Sequence, residues 1–175
     1  MFSNPEKNLM QFGISEGMHV ADLGVGNGVY ALSIARKVGD TGKVYAIDIQ
    51  NDLLTKLQKQ AAAEHLENIE TIWSDIEHTQ GTTLKDGAID AVIITNTFFQ
   101  IEKKESVVIE ISRILHSKGR VLVIEWADSF AGMGPHKDLI VKEELVKNLF
   151  LDNGFEFDRD IDAGDHHYGI VMRKK

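Results

Sequence analysis

Val20-Ala21-Asp22-Leu23-Gly24-Val25-Gly26-Asn27-Gly28 sets a short apolar run against a loop in which three of five residues are glycine. Glycine weakens regular structure, so such a cluster marks a place where something approaches the backbone closely. Val20 to Leu23 read as the end of a strand, and Val29 to Val38 as the helix that follows. In an open α/β sheet, ligands settle outside the carboxyl ends of the strands, where this loop lies. The helix N-terminus adds unpaired N–H groups and the positive end of a dipole.

The pattern around the loop alternates. Short β-branched runs recur at His19–Leu23, Lys43–Asp48, Ile69–Trp73, Ile89–Thr95, Arg120–Trp126, Phe155–Ile161 and His167–Met172. Helical spacing fills the gaps. Leu53, Leu54, Leu57 and Ala61 mark one helix, with Asn51 as its N-cap. Val107, Val108, Ile111, Ile114 and Leu115 mark another, ended by Ser117-Lys118-Gly119. Leu139, Leu145, Val146, Leu149 and Phe150 mark a third, closed by Asn153-Gly154. Asn4-Pro5 reads as a cap followed by proline at the first helical position. Strand and helix in alternation make a parallel sheet covered on both faces. Only Asp162 to His166 separates the last two strands, too few residues for a crossover helix. Those strands therefore form an antiparallel hairpin. The expectation is an α/β, doubly wound sheet of seven strands whose last strand runs against the rest.

The loop spacing is G-x-G-x-G. A nicotinamide fingerprint, G-x-G-x-x-G, requires glycine where Val29 stands. The second strand ends at Asp48, 20 residues after Gly28. A carboxylate there can accept both hydroxyls of an unmodified ribose and repels a 2′-phosphate.

With these features the chain resembles the class I methyltransferases that use S-adenosyl-L-methionine, over nearly its whole length. The resemblance implies a Rossmann-like sheet of order 3-2-1-4-5-7-6 with helices on both faces. Residues 1–175 then form one domain, and 1–18 a short N-terminal helical segment. It also implies that Asp22, Gly24, Gly26 and Gly28 surround the methionine part of the cofactor, and that Asp48 holds the ribose. Ile49 lies against the adenine. In the "WSDIE" stretch, Asp75 accepts from the adenine amino group with Ile76 beside the ring. Asn96, at the fourth strand tip, sits near the reacting methyl. "RILHSKGRVLVIEW" matches the family's helix, turn and fifth strand.

Methyl transfer from a sulfonium is an in-line displacement that needs alignment and a dry pocket. Topology turns the tips of the fourth and fifth strands toward the acceptor: Asn96, Thr97, Phe98, Glu125, Trp126 and Asp128. The start of the last strand (Asp165 to Tyr168) and the loop Phe130–His136, which includes Ala131, reach the same edge. His136 and His167 are the candidate bases; a histidine bonded to loop backbone is the bland alternative. Adjacent His166 and His167 point to opposite faces of a strand, so no metal site is read from them. Phe98, Phe99, Trp126, Phe130 and Met133 offer an aromatic pocket lining, with helix packing the alternative for Phe98 and Phe99.

Composition narrows the partners. Apolar residues make up 43% and charged residues 26%, ordinary for a globular domain. A net charge of −8 argues against a nucleic-acid backbone as partner. With no cysteine, thiol chemistry and disulfides are excluded, and arsenite methylation with them. No run is long and apolar enough to span a bilayer and no leader is recognised, so the expected location is the cytoplasm. Asn96-Thr97-Phe98-Phe99 lacks the prolines that accompany amino-group methylation in the family, and Asn96 replaces an acid that magnesium-dependent relatives need. The remaining resemblance is to the small-molecule methyltransferases, which implies a small or medium-sized acceptor. Only Met1 to Met18 precede the glycine strand, too short for the lid of many relatives. A more open pocket, or one completed by a second subunit in a homodimer, follows. Two competing readings are a cofactor-binding module without turnover and an NAD-dependent oxidoreductase.

Overall fold

The computed structural model describes residues 3–130 and 132–175. Helix α1 (Pro5–Phe12) opens the fold, its N-cap Asn4 accepting from the Lys7 amide at 3.1 Å. There follow β1 (His19–Leu23), α2 (Val29–Val38), β2 (Lys43–Asp48), α3 (Asn51–Ala63) and β3 (Ile69–Trp73). The second half comprises β4 (Ile89–Thr95), α4 (Lys104–Ile114), β5 (Leu115–Trp126), α5 (Glu143–Asp152), β6 (Phe155–Ile161) and β7 (His167–Lys174).

The sheet order is β3-β2-β1-β4-β5-β7-β6. All pairings are parallel except those of β7, which runs against both β5 and β6. The five residues 162–166 that close the hairpin account for that reversal. Two apolar layers cover the sheet. Leu9 and Phe12 of α1, Ile34 of α2 and Leu57 of α3 pack on one face. Val107 and Ile111 of α4 and Val146 and Phe150 of α5 pack on the other. The strand order reverses between β1 and β4, and this switch point opens the crevice where ligands bind in such sheets.

Several local expectations are corrected. Asn51 is the first residue of α3, not its cap; Gln50 precedes it and makes no side-chain capping bond. Strand β5 begins at Leu115, which pairs with Ile89, and the ladder resumes only at Arg120 opposite Ala91. Residues 116–119 bulge between these pairings, and Lys118 adopts φ 67° to allow it. Leu139 lies outside α5 in a short 3-10 turn, and it and Leu145 are exposed rather than core.

Candidate active site

The glycine loop leaves β1 and crosses above the carboxyl end of β2. The amides of Gly24 and Val25 both donate to the Ile47 carbonyl, at 2.9 and 3.2 Å. This fastens the loop to β2 and brings it beside Asp48. Asp48 then accepts from the Gly26 amide at 3.0 Å through Oδ2 and from the Gln50 amide at 2.8 Å through Oδ1. One carboxylate thus shapes both the loop and the entry to α3. Gly24 and Gly26 have φ of 73° and 53°, a region other residues adopt at a cost. A Cβ on Gly24 would lie 2.6 Å from Thr97 Oγ1, whereas one on Gly26 would meet nothing nearer than 3.9 Å. The loop is bare at Gly24 for packing and bare at Gly26 toward open space.

That space is a cleft of about 740 Å³. Gly24, Gly26, Asp48, Ile49, Asp75, Ile76 and Asn96 all line it, with Asp75 and Asn96 following the strands that flank β2 and β1. Asp22 of β1 is outside the lining, almost wholly buried, and its Oδ2 has no hydrogen-bond partner among the described residues. Burial, and secondarily the charge of Asp48, pushes its carboxyl up to about 7. Gly28 is outside the lining; a Cβ there would meet Leu57 of α3 at 2.8 Å. Asp75 accepts from the Glu77 amide at 2.9 Å and lies 3.3 Å from His78. Asn96 has φ 51°, and its buried Oδ1 has no partner among the described residues.

The two candidate bases are not brought into the cleft lining. His136 is three-quarters exposed and lies 3.1 Å from Asp138. His167 stacks on Trp126 with ring centroids 4.2 Å apart, and its Nδ1 donates to the Asp165 carbonyl at 3.1 Å. Burial lowers its pKa. His166 pairs with Asp128 at 2.6 Å and stacks on Phe130. Three residues assigned to the acceptor face belong to the interior. Phe98 is fully buried and meets Phe150 edge-on at 6.2 Å. Tyr168 is buried with its hydroxyl donating to the Val141 carbonyl, and Glu125 has no exposed surface. Ala131 lies outside the described residues.

Sequence reasoning missed part of the wall. Ser3, Pro5 and Tyr30 line the cleft, and buried Asn8 ties them by donating to Tyr30 Oη at 2.7 Å and Ser3 Oγ at 2.9 Å. A tyrosine in the first turn after a glycine loop was the available signal. Glu77, also in the lining, accepts from the amides of Glu102 and Lys103 and fixes the Asp75–Ile76 segment to the start of α4.

The ionisable groups of the lining are Asp48, Asp75, Glu77 and Tyr30, with no lysine or arginine among the described residues. That set fits a nucleoside carrying cationic sulfonium and ammonium groups: carboxylates, bare backbone at Gly26 beside Asp48 and, among the described residues, no cation in the lining to repel the ligand. It is a poor match for a dinucleotide's two phosphates, which favour cationic partners.

An open sheet of this order, with an acidic cleft over a glycine turn, defines the class I S-adenosylmethionine-dependent methyltransferases. The chain belongs to the methyltransferase domain family, whose model matches residues 14–155. It is 32% identical over 119 residues to the ubiquinone/menaquinone biosynthesis C-methyltransferase UbiE of Salmonella arizonae, covering 66% of this chain and 45% of that protein. The chain thus spans less than half the length of the curated relatives it matches. A crystal structure of an S-adenosylmethionine-dependent methyltransferase from Aquifex aeolicus superposes with a TM-score of 0.90 at 27% identity, covering 99% of this chain and 91% of that one. The cyclase SpnF, at 16% identity, TM-score 0.82 and coverage of 97% and 80%, shares the fold alone. Among the described residues, no helix is long and apolar enough to cross a membrane.

Proposed function

We propose that this chain, acting as one domain in the cytoplasm, transfers a methyl group from S-adenosylmethionine to a small or medium-sized acceptor. When bound, S-adenosylmethionine supplies an activated methyl on a cationic sulfur. Gly24 and Gly26 take the amino-acid end on bare backbone, with Asp22 buried behind the lining at the end of β1. Asp48 accepts from the ribose hydroxyls while keeping its bonds to the Gly26 and Gln50 amides. Ile49 and Ile76 flank the adenine and Asp75 faces its amino group. Asn96 orients the reacting end. With both histidines outside the lining, alignment carries the chemistry, and His167 or His136 would serve only an acceptor that reaches beyond the cleft. The likeness to UbiE, whose name states a C-methyltransferase of quinone biosynthesis, supports a carbon acceptor in a small molecule.

The observation that carries this reading is the acidic lining with no lysine or arginine, above a glycine loop clamped by Asp48. A thermal-shift comparison tests it. S-adenosylhomocysteine at a hundredfold excess over its Kd adds about 2.7 kcal/mol, which raises Tm by roughly 5–10 °C for a domain of this size. NADH adds none. Stabilisation by NADH alone would replace this reading with the oxidoreductase one. The absence of a histidine from the lining favours a second reading, a silent cofactor-binding module. Methyl transfer to any of a panel of amines, phenols and activated carbon acids removes it.

A further inference from the structure

Strand β5 runs through Val121-Leu122-Val123-Ile124, all buried, and then places Glu125 in the interior with no exposed surface. A carboxylate in such a position costs several kcal/mol unless its oxygens are satisfied. What satisfies it is backbone. Oε1 accepts from the Trp126 amide at 2.9 Å and Oε2 from the Phe99 amide at 3.3 Å. Burial works against the charged form of this carboxyl, while the Phe98 and Thr97 amides beside Phe99 also favour it. The turn after β4 is therefore hydrogen-bonded, through the Phe99 amide, to a side chain of the neighbouring strand.

That turn is part of the cleft wall. Its first residue, Asn96, holds φ 51°, a conformation that costs a non-glycine residue energy and persists where its surroundings enforce it. The Asn96 amide donates to the Ile124 carbonyl at 2.8 Å, so the turn is fixed to β5 at Ile124 as well as at Glu125. Thr97 stands so close to Gly24 that only glycine fits there. Asn96 and Thr97 line the cleft, and Glu125 is outside its lining.

We propose that Glu125 is a positioning residue: its carboxylate holds the turn after β4 through the Phe99 amide and so presents Asn96 to the bound S-adenosyl nucleoside from behind the cleft wall. The proposal rests on the cofactor reading above. A carboxylate that merely stabilised the core would leave the ligand's contact with Asn96 untouched.

A double-mutant cycle separates these cases. S-adenosylhomocysteine is titrated calorimetrically at pH 8 into the full chain, Asn96→Ala, Glu125→Gln and the double variant, each checked as folded by thermal melting. Glu125→Gln is expected to weaken binding about tenfold, and the double variant to bind within about twofold of Asn96→Ala alone, as groups acting through one another do. Unchanged binding by Glu125→Gln, or losses that multiply in the double variant, overturns the proposal. Should Glu125→Gln not fold, Glu125→Asp keeps the charge, withdraws the oxygens by one methylene, and is read in the same cycle. If the unsubstituted chain binds no S-adenosylhomocysteine, the cofactor reading fails and this role with it. If it binds and the Glu125 variant matches it, only the role of Glu125 fails.

Discussion

Replacing Asp48 by alanine tests the site at the point where most of its geometry meets. The side chain is 6% exposed and serves two amides, Gly26 at 3.0 Å and Gln50 at 2.8 Å. Hydrogen bonds to a charged acceptor contribute about 1.5–3 kcal/mol each when the donor is left unsatisfied by their loss. The Gly26 amide borders the cleft, where water replaces the carboxylate, so a net loss of about 1–3 kcal/mol in folding stability is expected from the pair. On the proposed function the ribose hydroxyls lose the same charged acceptor. That weakens S-adenosylhomocysteine by about 1–3 kcal/mol, a rise in Kd of roughly 5–150-fold. Calorimetry measures the Kd and urea melts the stability. Adenosine against 2′,3′-dideoxyadenosine isolates the sugar: the unsubstituted chain prefers adenosine, and Asp48→Ala loses that preference. A Kd within twofold of the parent, or a retained preference, would refute the assignment of Asp48 to the ribose.

Gly26→Ala meets no clash but must hold φ 53°, so it costs about 1–2 kcal/mol of stability in urea melts while its methyl blocks S-adenosylhomocysteine in calorimetry. Gly24→Ala adds a contact of 2.6 Å with Thr97 to the same backbone penalty, and a larger loss, about 2–4 kcal/mol, is expected by the same melts. Asp22 has its folded pKa raised from 3.8 to about 7, so between those values the folded chain keeps a proton that the unfolded chain has released. Stability therefore falls as pH rises through that window, and Asp22→Asn removes this part of the slope. Urea melts at pH 5 and pH 8 measure it: the variant gains on the parent at pH 8, and an equal difference at both pH values contradicts the buried, unpaired carboxyl.

The fold was legible because its signals are local. A glycine turn between strand and helix, and a gap of five residues before the last strand, fix the winding and the final reversal without knowledge of distant contacts. The cleft residues that follow strand tips, Asp48, Asp75 and Asn96, were found for the same reason: in a parallel sheet every strand ends at one edge. What stayed hidden depends on contacts far apart in sequence. Phe98 at a strand tip reads equally as pocket or core until Phe150 packs against it. Glu125 reads as an acid facing the acceptor because its partner from outside β5, the Phe99 amide, comes from another strand's turn. The Ser3 and Pro5 wall depends on Asn8 meeting Tyr30, a pairing that no periodicity reports. His136 and His167 reach the correct end of the sheet but not the cleft, since topology sets the edge and loop packing sets the reach.

The central claim, that the acidic cleft over Gly24 and Gly26 receives an S-adenosyl nucleoside, is tested most directly by a crystal structure of the chain grown with S-adenosylhomocysteine. The account predicts the homocysteine end over Gly24 and Gly26 and the ribose hydroxyls within hydrogen-bonding distance of Asp48. A ligand bound elsewhere, or crystals at saturating ligand whose cleft contains none, would contradict it.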